Sequence, residues 1–571
     1  MDIQQTTPAP DNQRILVAVA WPYAKTSTHV GQIVGSFLPG DIFARYHRLA
    51  GHEVLMVSGS DAHGTPITVD ADKEGVTPGE LAARYHAQIV NVLERLGVAF
   101  DLYTITTTEN HYRVTQDVFL RLLEHGYLFK DTMESPYCPT DQRFLPDRYI
   151  LGTCPHCGFT DARGDQCDNC GRTLDAKELI NPRCKICGSV TSTIEFRETE
   201  HFFLDLPKLS EPLRVWLERN RDRWRPTVVN FAMNWITEGL RPRAITRDLD
   251  WGVPVPVPGY ESKRIYVWFD AVIGYLSASI EWAQRRGEPD AWKRWWIVGP
   301  DGQEPARSYY FIGKDNIPFH AIIWPAMLMG YGGLTLPYDV PANEFMQMGG
   351  MKASSSRGNV IWTSDMLDKY GADSLRYYLT TTMPETRDSD FTYDELVRRN
   401  NDELVATYGN AAHRTLTFAQ RNFGAATPDP GELTPADEEM LATVERGFTA
   451  VAEAIEAVRM RDALNEAMIV ARAANRYLDE QAPWKSVKSD KTAAARAIWT
   501  MLQTLNGLKT LFLPFTPFSS QKLHEMLGNS GDVSASGWTF QRIPVGQTLP
   551  PPTPLFVKFE PVEATAAGAD K

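Results

Sequence analysis

The chain has 571 residues, too many for one hydrophobic core, so roughly three or four folded units are expected from length alone. Apolar residues make up 43% and charged residues 23%, an ordinary globular composition that excludes a disordered or fibrous chain. Lys and Arg number 58 against 71 Asp and Glu, a net charge of −13, so contact with nucleic acid needs a local basic face rather than a general attraction.

The start, MDIQQTTPAPDNQR, lacks the regions of a signal peptide, and no run reaches about 18 uninterrupted apolar residues. A cytoplasmic chain without membrane contact is expected. Residues 15–20, ILVAVA, read as a buried strand, followed by a polar turn and an amphipathic helix from about Gln32 to Ala50, stopped by Gly51. EVLMVSGSD is a second strand, which makes a βαβ unit. Ligands bind such sheets beyond the carboxyl ends of the strands, where PYAKTSTHVGQ and Asp61 fall. From about 131 to 250 the alternation gives way to a segment rich in Cys, Gly, Asp and Pro, which reads as an insertion. Strand-like runs resume at RIYVWFDA and SYYFIGKD, the latter leading into an apolar helix, IPFHAIIWPAMLMG, and EFMQM is a further strand. Beyond 398 helical patterns dominate, one of them starting at the N-cap Thr434 with Pro435 and Asp437 behind it. The tail from about 546, rich in Pro and Ala, has no periodicity and is expected to be largely unstructured.

The seven cysteines include three CxxC pairs, Cys154/Cys157, Cys167/Cys170 and Cys184/Cys187, with Cys138 shortly before them. In a long cytosolic chain such pairs suggest zinc rather than disulfides. Cys154, Cys157, Cys167 and Cys170 form a four-thiolate set with the spacing of a closed tetrahedral site, structural because no position is left for water. Cys138, Asp141, Cys184 and Cys187 form a second set, in which Cys138-x-x-Asp141 mimics a knuckle with one thiolate exchanged.

His29-Val30-Gly31-Gln32 opens a helix directly after a strand, where backbone N–H groups and the helix dipole favour phosphate and an imidazole adds a hydrogen bond. Far downstream, Lys352-Ala353-Ser354-Ser355-Ser356-Arg357-Gly358 is a cationic, hydroxyl-rich loop. Read singly, the first is an ordinary helix cap and the second a solvated loop. Together they resemble the HIGH and KMSKS signatures of class I aminoacyl-tRNA synthetases. The strings WPYAKTSTHVGQ, GHEVLMVSGSDAHGTPI, FLPDRYILGTCPHC, YVWFDAVIGY, FIGKDNIPFHAIIWPAML and ADSLRYY, in that order, narrow the resemblance to the methionyl-tRNA synthetase family. Two departures stand out. The family's PYANG is PYAKT here and the last His of HIGH is Gln32, while Ser355 replaces the second signature lysine and removes a positive charge from the place where pyrophosphate departs.

The resemblance implies an α/β fold: a Rossmann-type parallel-sheet catalytic domain split by a zinc-binding insertion and followed by an all-α anticodon-binding bundle. The expected divisions are a tail at 1–13, the catalytic halves at 14–130 and 251–340, and the connective insertion at 131–250. A signature-loop and stem-contact region follows at 341–397, then the bundle at 398–545 and a tail at 546–571. The implied activity is that of a methionine-tRNA ligase, forming methionyl-adenylate from L-methionine and ATP and passing the methionyl group to the 3′ end of tRNA. His29, Gly31, Gln32, Lys352 and Ser355 stand for ATP binding, and His29, Gln32, Lys352, Ser355 and Arg357 for catalysis. Tyr23, Asp61, Trp268, Ala271, Tyr275 and His320 stand where the family's methionine pocket stands, with Val272 in place of its usual Pro. Asn410, Arg414 and Trp484 match its anticodon readers, with Asn410 and Arg414 on one helical face. The implied cofactors are one or two structural Zn²⁺ ions and Mg²⁺ carried by ATP, and the implied RNA partners are initiator and elongator methionine tRNAs. A monomer is expected, since no additional C-terminal dimerisation domain is evident.

Overall fold

The structure, a computed structural model, describes residues 13–145, 149–164, 167, 169–170, 174, 176–187, 194–300, 305–348, 351–352 and 360–560. Five parallel strands lie side by side in the order Ala342–Asn343, Arg307–Gly313, Arg14–Val19, Glu53–Ser60 and Leu102–Ile105. The apolar run at residues 15–19 follows from burial on both faces. Ile15, Val17 and Val19 enter one hydrophobic cluster, and Leu16 and Ala18 enter the other. The first strand is central, and the chain departs from it to one side and returns on the other. The crevice of this topology therefore opens beyond the carboxyl ends of Arg14–Val19 and Arg307–Gly313.

Between the two halves of the sheet, strands Leu128–Cys138 and Glu195–Leu204 pair antiparallel from Leu128 opposite Leu204 to Tyr137 opposite Glu195. This ribbon carries the cysteine-rich lobe, built on a small sheet of Ala162–Arg163, Ile150–Thr153 and Ile180–Cys184. RIYVWFDA is not a strand of the main sheet. Only Arg264–Ile265 is extended, paired with Thr246–Arg247, and Val267 opens a helix that runs to Arg285. Val267, Phe269, Val272, Ile273 and Leu276 are all buried at helical spacing. A short apolar run does not distinguish a buried strand from a buried helix, and here the helix prevails.

The first helical stretch starts earlier than the sequence suggests, at Val30, and widens into a π turn over Ile33–Phe37 before continuing as Leu38–Leu49. The C-terminal helices include Asn410–Asn422, Pro435–Glu456, Met460–Gln481, Lys491–Phe512 and Pro517–Met526. The Thr434 N–H donates to the Asp437 carboxylate at 2.7 Å, the cap its sequence predicts. Residues 546–560 contain no helix or strand, yet they are packed rather than loose. Leu549 and Phe556 are buried, and the amides of Asn400 and Asn401 donate to the carbonyls of Val557 and Phe559 at 2.9 and 2.8 Å. Aperiodic sequence excludes a regular ladder, but side-chain amides satisfy this backbone instead. Among the described residues no helix is long and apolar enough to cross a membrane.

Arg376, from the ADSLRYY string, is fully buried where the main sheet's helices meet the bundle. Its guanidinium donates to Asp41 at 2.7 Å and to the carbonyls of Pro514, Phe515 and Leu96 at 2.8, 2.9 and 3.3 Å. Burial opposes the charge on Asp41, but Arg45 and Arg376 outweigh it and hold the carboxyl below its ordinary range. Arg376→Ala leaves Asp41 with Arg45 as its one cation beside the Ala99 N–H, and orphans three carbonyls. The expected loss is about 3–5 kcal/mol, seen as a lower denaturation midpoint in urea. An unchanged midpoint would show that the pair is dispensable.

Candidate functional site

A cavity of about 310 Å³ lies in the crevice of the main sheet. The segment after Arg14–Val19 supplies Tyr23 and His29, the end of Glu53–Ser60 leads to Asp61, and helix Val267–Arg285 brings Trp268, Ala271 and Tyr275. His320 comes from the helical segment that follows Arg307–Gly313, and Gly31 and Gln32 line the same cavity. Residues far apart in sequence thus meet at the switch point of the sheet.

The aromatic wall is ordered by ring contacts and one short hydrogen bond. Trp268 stacks on Phe319 with centroids 4.2 Å apart, and Tyr23 meets Trp268 edge-on at 6.0 Å. The Asn316 carbonyl lies 2.9 Å from Nδ1 of His320, which places the ring proton on Nδ1. Nε2 then accepts from the Tyr275 hydroxyl at 2.7 Å. Burial pushes His320 down to about 4, so the ring is neutral and the wall carries no charge. Such a surface of polarizable rings suits a thioether. Two glycines make room for it. A Cβ on Gly64 would lie 2.2 Å from the Tyr23 ring, and one on Gly274 would lie 2.7 Å from Trp21.

Asp61 is buried at the polar end of this wall, with Oδ1 accepting the His63 N–H at 3.1 Å. Burial, aided by Asp270, pushes its carboxyl up to about 8. An arriving ammonium reverses that cost, because a cation favours the ionised form.

At the other end, His29 caps the helix that starts at Val30, and its backbone N–H donates to the Gln32 side chain at 3.1 Å. Its Nδ1 is buried with no hydrogen-bond partner, and burial pushes the ring down to about 4. A neutral imidazole with a spare nitrogen can donate to a phosphate oxygen. Of the second signature, Lys352 pairs through its backbone with Gln347, while Ser355 and Arg357 lie outside the described residues. The chain just beyond the loop returns to His29. Val30 N–H donates to Ile361 O at 3.1 Å and Thr363 N–H to Thr28 O at 3.0 Å. Main-chain bonds thus fasten the chain at Ile361 and Thr363 to the segment that carries the first signature.

In the cysteine lobe, Sγ atoms of Cys154 and Cys170 are 3.9 Å apart and those of Cys157 and Cys167 are 3.6 Å apart. Zinc bound to four thiolates at about 2.3 Å requires edges of about 3.8 Å, so this set is compatible with structural zinc. Gly158, at φ +74°, closes the knuckle turn and donates its N–H to Cys154 O at 3.0 Å. The donor atoms of Cys138, Asp141, Cys184 and Cys187 also lie within 4.8 Å of one another.

On the helical bundle, Arg414 lies over the ring of Trp484 at 4.7 Å and pairs with Asp479 at 2.8 Å. Ala482, in the left-handed region at φ +41°, ends one helix, and Pro483 starts the next short turn, which leaves Trp484 41% exposed. Asn410 sits one turn before Arg414 on helix Asn410–Asn422, half-buried.

The family described as tRNA synthetases class I (M) matches residues 15–416, and the anticodon binding domain of methionyl tRNA ligase matches residues 427–567. The chain belongs to the methionyl-tRNA synthetase family. It is 55% identical to the methionine-tRNA ligase of Roseiflexus castenholzii over 575 residues, which cover 96% of both chains. It is 50% identical to that of Thermomicrobium roseum over 96% of this chain and 97% of that one. Among solved structures, Mycobacterium tuberculosis methionyl-tRNA synthetase in complex with methionyl-adenylate superposes with a TM-score of 0.78 at 26% identity, over 95% of this chain and 99% of that one.

Sequence reasoning missed Trp21 and Phe319 as lining of the cavity, and His63 and Asp270 as a hydrogen-bonded pair behind it. All four sit inside the strings that carried the resemblance; Trp21 and His63 follow the carboxyl ends of Arg14–Val19 and Glu53–Ser60, the signal available for those two, whereas Phe319 and Asp270 lie on helical segments. Gly274→Ala is expected to displace the Trp21 ring and raise the KM for methionine at least about tenfold, with the KM for ATP little changed, in steady-state exchange kinetics. Equal changes in both constants would place Trp21 outside the pocket.

Proposed function

We propose that the chain joins L-methionine to ATP at the cavity of the main sheet, releases pyrophosphate, and passes the methionyl group to a methionine tRNA that the bundle selects. The observation that carries this reading is the convergence of Asp61, the aromatic wall and His29 in one cavity. Asp61 takes the ammonium, Trp268, Tyr275, Tyr23, Ala271 and His320 enclose the side chain, and the carboxylate is left facing the nucleotide end. Being ionised, that carboxylate attacks the α-phosphorus without a general base. The bond to the β-phosphate oxygen breaks and pyrophosphate leaves with its electron pair. The enzyme's task is therefore alignment and charge neutralisation.

His29, Gly31, Gln32 and Lys352 hold the triphosphate, with Ser355 and Arg357 completing the second signature. Mg²⁺ arriving with ATP supplies further positive charge. The divisions of the chain follow the same reading, with the catalytic halves at 14–130 and 251–340 around the insertion and the anticodon bundle at 398–545. The enzyme acts as a cytoplasmic monomer on initiator and elongator tRNAs.

His29→Ala is expected to lower methionine-dependent ATP–pyrophosphate exchange by about two to three orders of magnitude, because its contact is to the reacting triphosphate. Wild-type exchange in this variant would remove His29 from the site.

Zinc serves the insertion only, so metal analysis should find at least one tightly held zinc. Cys154→Ser should lose it and unfold the cysteine lobe, as seen by proteolysis there. A metal-free preparation with an intact lobe would contradict the four-thiolate assignment.

At the bundle, the Arg414 guanidinium already occupies the face of Trp484, the position an unpaired anticodon base takes on binding. Base stacking on an aromatic ring contributes about 1–3 kcal/mol, so Trp484→Ala should cut aminoacylation about fivefold to a hundredfold while leaving methionine activation intact. Parallel loss of both activities would make Trp484 a packing residue.

A further inference from the structure

Behind the methionine wall lies a cluster that the reaction does not use. His63 Nδ1 is 2.7 Å from Asp270 Oδ2 and its Nε2 is 3.2 Å from the Tyr112 hydroxyl. His111 approaches Ser277 Oγ through Nδ1 at 2.9 Å and Thr115 Oγ1 through Nε2 at 3.3 Å. His63, His111 and Asp270 have donor atoms within 4.8 Å of one another, the spacing of a metal site. All four ring nitrogens already have hydrogen-bond partners, however, so the cluster is built to hold protons rather than a cation.

Its charges do not balance when the pocket is empty. Asp61 and Asp270 are both buried, and the backbone N–H of His63 links the first while its ring links the second. Oδ1 of Asp270 is buried with no partner. Two carboxylate anions here would share the backbone N–H groups of His63 and Ala271 and one imidazole, against a desolvation cost of several kcal/mol for each ion. Helix Val267–Arg285 contributes Asp270, helix Glu109–Glu124 contributes His111 and Tyr112, and Trp251 packs edge-on against His63 at 5.7 Å. The charge of Arg264 reaches Tyr112 of this cluster. Among the described residues no lysine or arginine pairs with either carboxylate.

We infer that Asp61, His63 and Asp270 hold one proton between the two carboxylates in the empty pocket, and that the ammonium of methionine expels it. The proton passes to solvent, Asp61 becomes an anion, and the ion pair with the ammonium replaces the O–H bond. The direction agrees with the titration of the groups. Burial, with Asp270 adding repulsion, lifts Asp61 to about 8, burial lifts Asp270 well above the carboxylate range, and burial lowers His63 to about 4 and His111 well below its ordinary value. A raised carboxyl pKa means that ligand affinity falls as pH drops below about 8, since the proton then competes with the ammonium. Asp270 is in this account a positioning residue, acting on methionine only through Asp61.

The inference rests on the reading of Asp61 as the ammonium partner, and calorimetry separates the two. Methionine is titrated into the full-length protein at pH 7 in buffers of different ionisation enthalpy, which counts the protons released. Wild type should release close to one proton per methionine, and methioninol, which keeps the ammonium but lacks the carboxylate, should release the same number. Asp270→Asn, which keeps a hydrogen-bonding group beside His63, should release less than half as much and move the acid limb of methionine affinity to lower pH. No release by wild type, no release with methioninol, or equal release by a folded Asp270→Asn variant would overturn the inference. If that variant does not fold, the two wild-type titrations decide it. Asp61→Asn keeps the readings apart. Wild-type affinity in Asp61→Asn refutes the ammonium assignment, whereas lost affinity in Asp61→Asn with no proton release in wild type refutes the proton alone.

Discussion

The fully buried contact between Arg376 and Asp41 is the constraint on which the two-part enzyme depends. Asp41 lies on Leu38–Leu49, which continues the helical stretch that His29 caps, and Arg376 reaches from helix Ala372–Thr381 to the backbone at Pro514 and Phe515 behind the bundle's long helix. One guanidinium thus fixes the His29 end of the cavity and the root of the helical bundle in one frame. Burying an ion pair does not by itself stabilise a fold, because desolvation offsets most of the attraction. What it contributes here is position, since five donors in a rigid fork can be satisfied in only one arrangement of the surrounding carbonyls. The hydrophobic cluster on that face of the sheet, running from Ile15 and Val17 through Leu375 and Tyr408 to Leu505 and Phe512, supplies the cohesive energy around it.

The same logic explains where the chemistry sits. The opposite cluster joins the sheet to the insertion through Leu16, Val57, Phe202 and Leu213, so both faces of the sheet are covered and the open end of its strands is left for ligands. The pocket is neutral along its aromatic wall because burial keeps His320 uncharged, and the buried carboxyl of Asp61 stands at one end of that wall. In the proposed reading, the thioether of the substrate meets the aromatic wall and its ammonium meets Asp61. The face proposed to read tRNA lies on a separate set of helices, where Arg414 sits over the Trp484 ring.

Much of this was legible in the sequence, for reasons that can be named. A doubly buried parallel strand shows as an unbroken apolar run, which ILVAVA does, and CxxC pairs at knuckle spacing announce their own geometry. RIYVWFDA misled because a helix buried on nearly all sides looks like a strand over eight residues, and only its longer periodicity reveals it. The tail beyond 546 misled differently. It lacks periodicity, but Asn400 and Asn401 satisfy its backbone from outside, a long-range arrangement that local pattern does not carry. The His63–Asp270 contact joins residues 207 apart and was equally out of reach, although both were present in the quoted strings.

The most direct test of this account is a double-mutant cycle on aminoacylation kcat/KM with Asp41→Asn, Arg376→Met and the pair together. If one buried contact sets the frame, either change alone removes it, and the double variant should be about as impaired as the worse single one. Losses that multiply across the cycle would show that Asp41 and Arg376 act independently, and would contradict the claim that their contact holds the two functional sites in register.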